Sequence, residues 1–319
     1  MPDLTDYRSY KIGESTSLDR MVGFITPEFE QTVMGHILGN YLDATSSPLF
    51  LAIHGPMGSG KTYQTLRICS KYHLSVYYIS AAELSGSYEK SCINDINRNL
   101  DNAKCEYETT NEYSVFIIDD FHLSIASTEA GIGKTVNSQI LTGYLMNLAD
   151  TAKITHKVCV PFILLGNDFR YLYPPLTRDG RMDFYEWNPT VDEKKSIIQY
   201  SFQDIFRMPE EKAIIDKLVE KYHNEPISFF TELKHDIKKA AVQQYFSEHK
   251  NSYRSISRLV ALYNDVRKTE EPLAEKLDEL AEKRHQLNQR ALFVHENRGG
   301  LTNEKTTAET TEPEESALE

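Results

Sequence analysis

The strongest chemical signal in the chain is one unbroken run, Gly55-Pro56-Met57-Gly58-Ser59-Gly60-Lys61-Thr62. It fits the pattern G-x-x-x-x-G-K-[ST], in which the backbone N–H groups of a glycine-rich turn converge on phosphate oxygens. The glycines permit the tight turn, the lysine reaches the outer phosphates, and the threonine hydroxyl takes one position on Mg2+. An apolar run, Leu49-Phe50-Leu51-Ala52-Ile53, leads into the loop, and a helical pattern over 63–71 follows it. Strand, loop and helix in that order is the context the motif requires, so residues 55–62 read as a binding loop for MgATP. A helix beginning near Lys61 adds its positive N-terminal end to the phosphate site.

A second signal is the run Val115-Phe116-Ile117-Ile118-Asp119-Asp120, a buried strand ending in two carboxylates. Beside a phosphate loop such a strand delivers an acid to the metal. Asp119 is the expected magnesium-side carboxylate, together with Thr62. Asp120 is placed to polarise the attacking water, a role more often held by the longer glutamate. A further apolar run, Val160-Pro161-Phe162-Ile163-Leu164-Leu165, ends in Gly166-Asn167-Asp168. Ligands of open α/β sheets sit outside the carboxyl ends of strands, where Asn167 would meet the γ-phosphate or the water. Arg178 and Arg181 flank the turn Arg178-Asp179-Gly180-Arg181. Taken singly, the acids read as a strand end, Asn167 as a turn residue and the arginines as surface charge.

The elements that must carry these groups are legible from periodicity. Short apolar runs at 49–53, 74–79, 115–118 and 158–165 alternate with helical patterns, which predicts an α/β domain with a parallel sheet flanked by helices. After Trp187-Asn188-Pro189 the strand signals stop, and a smaller all-helical domain is expected. The predicted organisation is a poorly ordered leader at 1–20, a nucleotide-binding domain at 21–190, a helical domain at 191–268, a C-terminal helix at 269–298 and a disordered acidic tail at 299–319. In that helix Leu273, Leu277, Leu280, Leu287 and Ala291 recur at spacings of four and three, interrupted at Arg284. The pattern suits either a helix docked on the body or a short coiled coil with a partner.

Composition narrows the class. Lys and Arg number 35 against 47 Asp and Glu, a formal net charge of −12. That argues against a general nucleic-acid binder, which needs a basic face. No apolar run reaches the roughly 18–20 residues that span a bilayer, and residues 1–20 hold no signal-peptide core. Cys69, Cys92, Cys105 and Cys159 lack metal or disulfide spacing, so a cytoplasmic protein with reduced thiols is expected.

Over about Phe24 to Lys239 the chain resembles the Rubisco activases, AAA+ protein remodellers. The resemblance is densest in Val160-Pro161-Phe162, Gly166-Asn167-Asp168-Phe169, Leu172-Tyr173-Pro174-Pro175-Leu176-Thr177-Arg178-Asp179-Gly180-Arg181-Met182 and Trp187-Asn188-Pro189-Thr190. Phe24-Ile25-Thr26-Pro27, Ser80-Ala81-Ala82-Glu83-Leu84, Thr135-Val136-Asn137-Ser138-Gln139 and Leu145-Met146-Asn147-Leu148-Ala149-Asp150 match as well. The resemblance implies a AAA+ module with a helical lid at 191–265, ATP hydrolysis and a hexameric ring of identical subunits with nucleotide between them. By the same resemblance Asn167 is the first sensor residue, and Arg178 and Arg181 are the arginine pair at the subunit interface. Tyr88 falls on a first central-pore loop, and residues 127–135 on a second. Two departures stand out. Ile118-Asp119-Asp120-Phe121 replaces an Asn-Asp-Leu-Asp pattern, so either acid is a candidate for the water. Near 234 and 236, where the family carries arginines, Lys234 alone keeps a positive charge toward nucleotide.

The expected function is therefore an ATP-driven remodeller of a protein client, Rubisco among the candidates. The alternative is an ATP-dependent switch or loader acting on a nucleic-acid-associated complex, for which Lys238, Lys239, Lys250, Arg254 and Arg258 would supply a small basic face. A scaffold that binds ATP without turnover is a third reading, raised by Asp120 in place of glutamate.

Overall fold

A computed structural model of the 319-residue chain describes residues 10–12, 23–80, 84, 91–125, 136–155, 159–205, 209–249, 255–260 and 277–300. The strands are β1 (Tyr10–Ile12), β2 (Phe50–His54), β3 (Ser75–Ser80), β4 (Ser114–Asp119), β5 (Phe162–Leu165) and β6 (Met182–Glu186). They form one six-stranded sheet in the order β1-β3-β4-β5-β2-β6. All neighbours are parallel except β1, which runs antiparallel along β3. The helices are α1 (Pro27–Leu42), α2 (Lys61–Lys71), α3 (Ser91–Thr110), α4 (Phe121–Ile125), α5 (Val136–Thr155), α6 (Val191–Ser201), α7 (Pro209–Lys221), α8 (Ile227–His249) and α9 (Leu277–Gly300).

The central strands are apolar on both faces because helices cover both. Successive side chains alternate across the sheet. Phe50, Ala52, Phe116, Ile118, Phe162 and Leu164 face one core, with Leu100 and Ala103 of α3 and Leu141, Leu145 and Ala149 of α5. Leu51, Ile53, Val115, Ile117, Ile163 and Leu165 face the other, with Phe29, Val33 and Ile37 of α1 and Ile68 of α2. The first core is tied together by rings: Phe116 stacks on Phe162 at 4.7 Å and on Tyr77 at 4.9 Å. In the second, Phe29 meets Trp187 edge-on at 4.9 Å. α1 starts at Pro27, whose missing N–H costs nothing at a first helical position.

Two strands lie where none was expected. β1 falls inside the predicted leader. β6 follows the arginine turn, and its pattern of one buried and four partly or fully exposed residues lacks the apolar run that marks a central strand. β5 begins at Phe162, after Pro161, and so is shorter than the predicted 158–165.

The chain divides into two compact units, Met1–Phe230 and Thr231–Glu319. The first holds the sheet together with α6 and α7. In α6, Thr190 and Glu193 form a reciprocal capping box. Within the second unit, α9 packs on α8 through Arg284, whose guanidinium meets Asp236 Oδ2 at 2.6 Å. Leu277 and Ala281 are buried, while Leu287 is exposed. The residue that interrupts the leucine pattern thus joins this helix to α8 by an ion pair. Tyr88, residues 127–135 and most of the expected leader and tail lie outside the described residues.

Candidate active site

β2 runs straight into the glycine-rich loop. Gly55, Gly58 and Gly60 have φ angles of 151°, 73° and 86°, a backbone region open chiefly to glycine. Space is short as well. A Cβ on Gly55 would lie 2.0 Å from the Trp187 carbonyl oxygen, and one on Gly58 2.2 Å from Ser228 Oγ. One side chain and one backbone N–H from outside the loop hold it in place. Trp187 Nε1 donates to Ser59 O at 2.8 Å, and the backbone N–H of Ser228 donates to Gly58 O at 3.0 Å.

Gly60 is the N-cap of α2, and no side chain caps that helix start. The first N–H groups of α2 and its positive end therefore face the loop. Lys61 is buried and curls over the turn. Its Nζ donates to Gly55 O and Pro56 O, each at 2.9 Å, and to Asn167 Oδ1 at 3.2 Å. Burial pushes its pKa down, and the charges of Asp119 and Asp120 partly oppose the shift. All three hydrogen-bond acceptors are neutral, so an anionic phosphate can replace them at a gain. Ser59 Oγ is buried in the loop with no hydrogen-bond partner among the described residues. An ungated helix start, an ammonium on neutral acceptors and an orphaned hydroxyl together fit a polyphosphate.

The acids arrive from β4. Asp119, its last residue, accepts from Thr62 Oγ1 at 3.0 Å and from the Tyr78 hydroxyl at 2.5 Å, both on Oδ2. Its Oδ1 accepts from the Asp120 backbone N–H at 3.0 Å. Asp120 is exposed and takes a left-handed φ of 52°, which Asp tolerates better than most residues. That turn aims the chain into α4. β5 lies between β2 and β4, so Asn167, two residues past its end, stands between the loop and the acids. Its side chain reaches Lys61, and its backbone N–H donates to His122 Nδ1 at 3.4 Å. Among the described residues no group of three or more His, Cys, Asp or Glu forms a ready-made metal cage. Thr62 and Asp119 instead set a hydroxyl beside a carboxylate, a donor pair of the kind that can hold Mg2+ when phosphate oxygens complete the shell.

The two arginines differ. Arg181 is engaged inside the chain: its guanidinium grips Asp150 of α5 with bonds of 2.8 and 2.7 Å and also donates to Pro175 O. Those bonds hold the Asp150 carboxyl below its usual range. Arg178 is exposed and its guanidinium makes no hydrogen bond among the described residues. Lys234 lies on α8 in the second unit. Tyr78, His122, Trp187 and Ser228 belong to the site's support and were not anticipated. Trp187 is the only tryptophan in the chain and follows β6 directly, the one signal that could have marked it. The other three become neighbours only through strand pairing or a distant helix.

Comparison with known proteins agrees with this geometry. Residues 51–190 match the ATPase family associated with various cellular activities (AAA), which binds nucleotide. Among curated proteins, the chain is 30% identical over 245 residues to a ribulose bisphosphate carboxylase/oxygenase activase of Anabaena sp., a stretch covering 73% of this chain and 58% of that one. The Nostoc sp. protein of the same name gives the same identity and coverage. The chloroplastic Chlamydomonas reinhardtii activase is 30% identical over 243 residues, 70% of this chain and 57% of its own. The chain carries an AAA ATPase module and is Rubisco activase-like. It spans less than two-thirds of the length of the relatives it matches. Among the described residues no helix is long and apolar enough to cross a membrane.

Proposed function

We propose that the chain hydrolyses MgATP and uses the cycle to remodel a protein client, as a ring of six identical subunits. The observation that carries this is the convergence of Lys61, Thr62, Asp119 and Asn167 from three neighbouring strand ends onto one uncapped helix start.

Each residue has a task in this reading. The backbone N–H groups of the loop and the Lys61 ammonium hold the β- and γ-phosphates. Thr62 and Asp119 hold Mg2+, which when bound neutralises charge on the phosphate oxygens. Asp120, exposed beside Asp119, polarises the attacking water. Asn167, released when Lys61 turns to the phosphates, orients that water or the γ-phosphate. Arg178, whose guanidinium makes no hydrogen bond among the described residues, reaches the γ-phosphate of a neighbouring subunit, where an arginine of this kind is worth roughly 10³–10⁵ in rate. Arg181 shapes the same turn through Asp150. Lys234 is assigned a nucleotide-sensing contact from the helical part. The free thiols Cys69, Cys105 and Cys159 suit a reducing cytoplasmic setting.

Rubisco is the first client to test, because the relatives bear its name. The test uses Asp120→Asn, which should bind MgATP and stall. The stalled protein, presented with purified Rubisco and with a lysate of the source cells, should retain one protein in MgATP and release it in MgADP. Retention of nucleic acid alone, with a salt-dependent affinity, would replace this reading by that of a nucleic-acid loader.

A further inference from the structure

Asp119 is held by a side chain that belongs to none of the phosphate-site motifs. Tyr78 lies on β3, where it pairs in register with Ile117 of β4. Asp119 is two residues further along β4 and so shares the face of Ile117. A residue at that diagonal offset on the neighbouring strand is beyond a short side chain but within reach of a tyrosine. The Tyr78 ring packs against the core between the sheet, α1 and α2, and its hydroxyl donates to Asp119 Oδ2 at 2.5 Å. An O–H donor this close to a carboxylate oxygen is in the charge-assisted range.

Oδ2 has a second side-chain donor, Thr62 Oγ1. The two donors are not equivalent. Thr62 must offer its oxygen to the cation, whereas Tyr78 is held by a strand inside the sheet. We propose that Tyr78 is the positioning residue of the Mg2+ site. It sets the orientation in which Asp119 meets the metal, and thereby sets how much Mg2+ the protein needs to bind nucleotide productively. Partners of a metal-binding carboxylate commonly control affinity in this way. The inference rests on the MgATP reading and extends it to a residue outside the loop and the acidic pair.

The test compares wild type, Tyr78→Phe, Asp119→Asn and the double variant as full-length proteins. Binding of ADP and of a non-hydrolysable ATP analogue is titrated in EDTA and across a Mg2+ series, so no turnover is needed. Phe keeps the ring and removes only the donor. Tyr78→Phe is expected to leave metal-free affinity within about twofold and to raise the half-saturating Mg2+ concentration by about tenfold. In the Asp119→Asn background the same substitution should add no further shift, because the two act as one unit. An unchanged Mg2+ requirement would overturn the proposal. So would an equal loss with and without metal, which marks a packing role, or additive shifts in the double variant. If wild type binds no nucleotide under either condition, the ATP reading itself falls and takes this inference with it.

Discussion

Thr62 and Asp119, 57 residues apart, are joined by a 3.0 Å hydrogen bond from Thr62 Oγ1 to Asp119 Oδ2. The bond joins the start of α2, which follows β2, to the end of β4. β2 and β4 flank β5, and Asn167 lies two residues past the end of β5. The glycine-rich loop, Asp119 and Asn167 are therefore linked by hydrogen bonds into one connected cluster. Preorganisation of this kind is what phosphoryl transfer demands, because its catalysis is mostly positioning and charge neutralisation.

The arginine turn should act between subunits. Arg178→Ala is expected to retain nucleotide binding and lose roughly 10³-fold in turnover. A mixture of Arg178→Ala and Lys61→Ala subunits should recover activity that neither has alone, since each supplies the half the other lacks. If neither Arg178→Ala nor Arg181→Ala slows turnover by more than about threefold, the shared-site account is wrong. Arg181→Ala should also cost stability, about 1 kcal/mol, through loss of its two bonds to Asp150; a thermal melt reads this.

Gly58 faces two constraints, a left-handed φ of 73° and the nearby Ser228 Oγ. Gly58→Ala is expected to destabilise by about 1–3 kcal/mol and to weaken nucleotide binding. Adding Ser228→Gly should relieve the crowding but not the backbone strain, giving partial rescue. Full rescue would mean that the backbone angle is unimportant.

The parallel sheet was readable because its central strands are uniformly apolar, and the loop because motif and context agree. β6 was not, since an edge strand shows no apolar run. β1 was not, since three residues, Tyr10–Ile12, carry too little periodicity. At the site, Lys61, Thr62, Asp119, Asp120 and Asn167 were named from residue type and position along the strands. Tyr78 and His122 were invisible for a different reason: their contacts depend on which strands pair and in which register. The difference between Arg178 and Arg181 was equally hidden, because it depends on Asp150 of α5 lying across the turn.

His36 predicts an acid limit. Its Nε2 donates to Phe162 O at 3.2 Å, and burial lowers its pKa from 6.5 to about 4. Between those values the unfolded chain takes up a proton that the folded chain refuses, so stability falls with acidification. The contribution is intact above pH 6.5 and declines toward pH 4, by at most about 3 kcal/mol. Denaturant melts from pH 7.5 to 4.5 should show the slope, and His36→Gln should flatten it. An identical slope in the variant would assign acid sensitivity elsewhere.

The central claim is that Lys61 and its loop bind and turn over MgATP. Phosphate release should be measured for wild type and Lys61→Ala side by side, with and without Mg2+. The account predicts Mg2+-dependent release by wild type and background release by a variant that still melts cooperatively. Undiminished release by Lys61→Ala, or none by wild type, would contradict it.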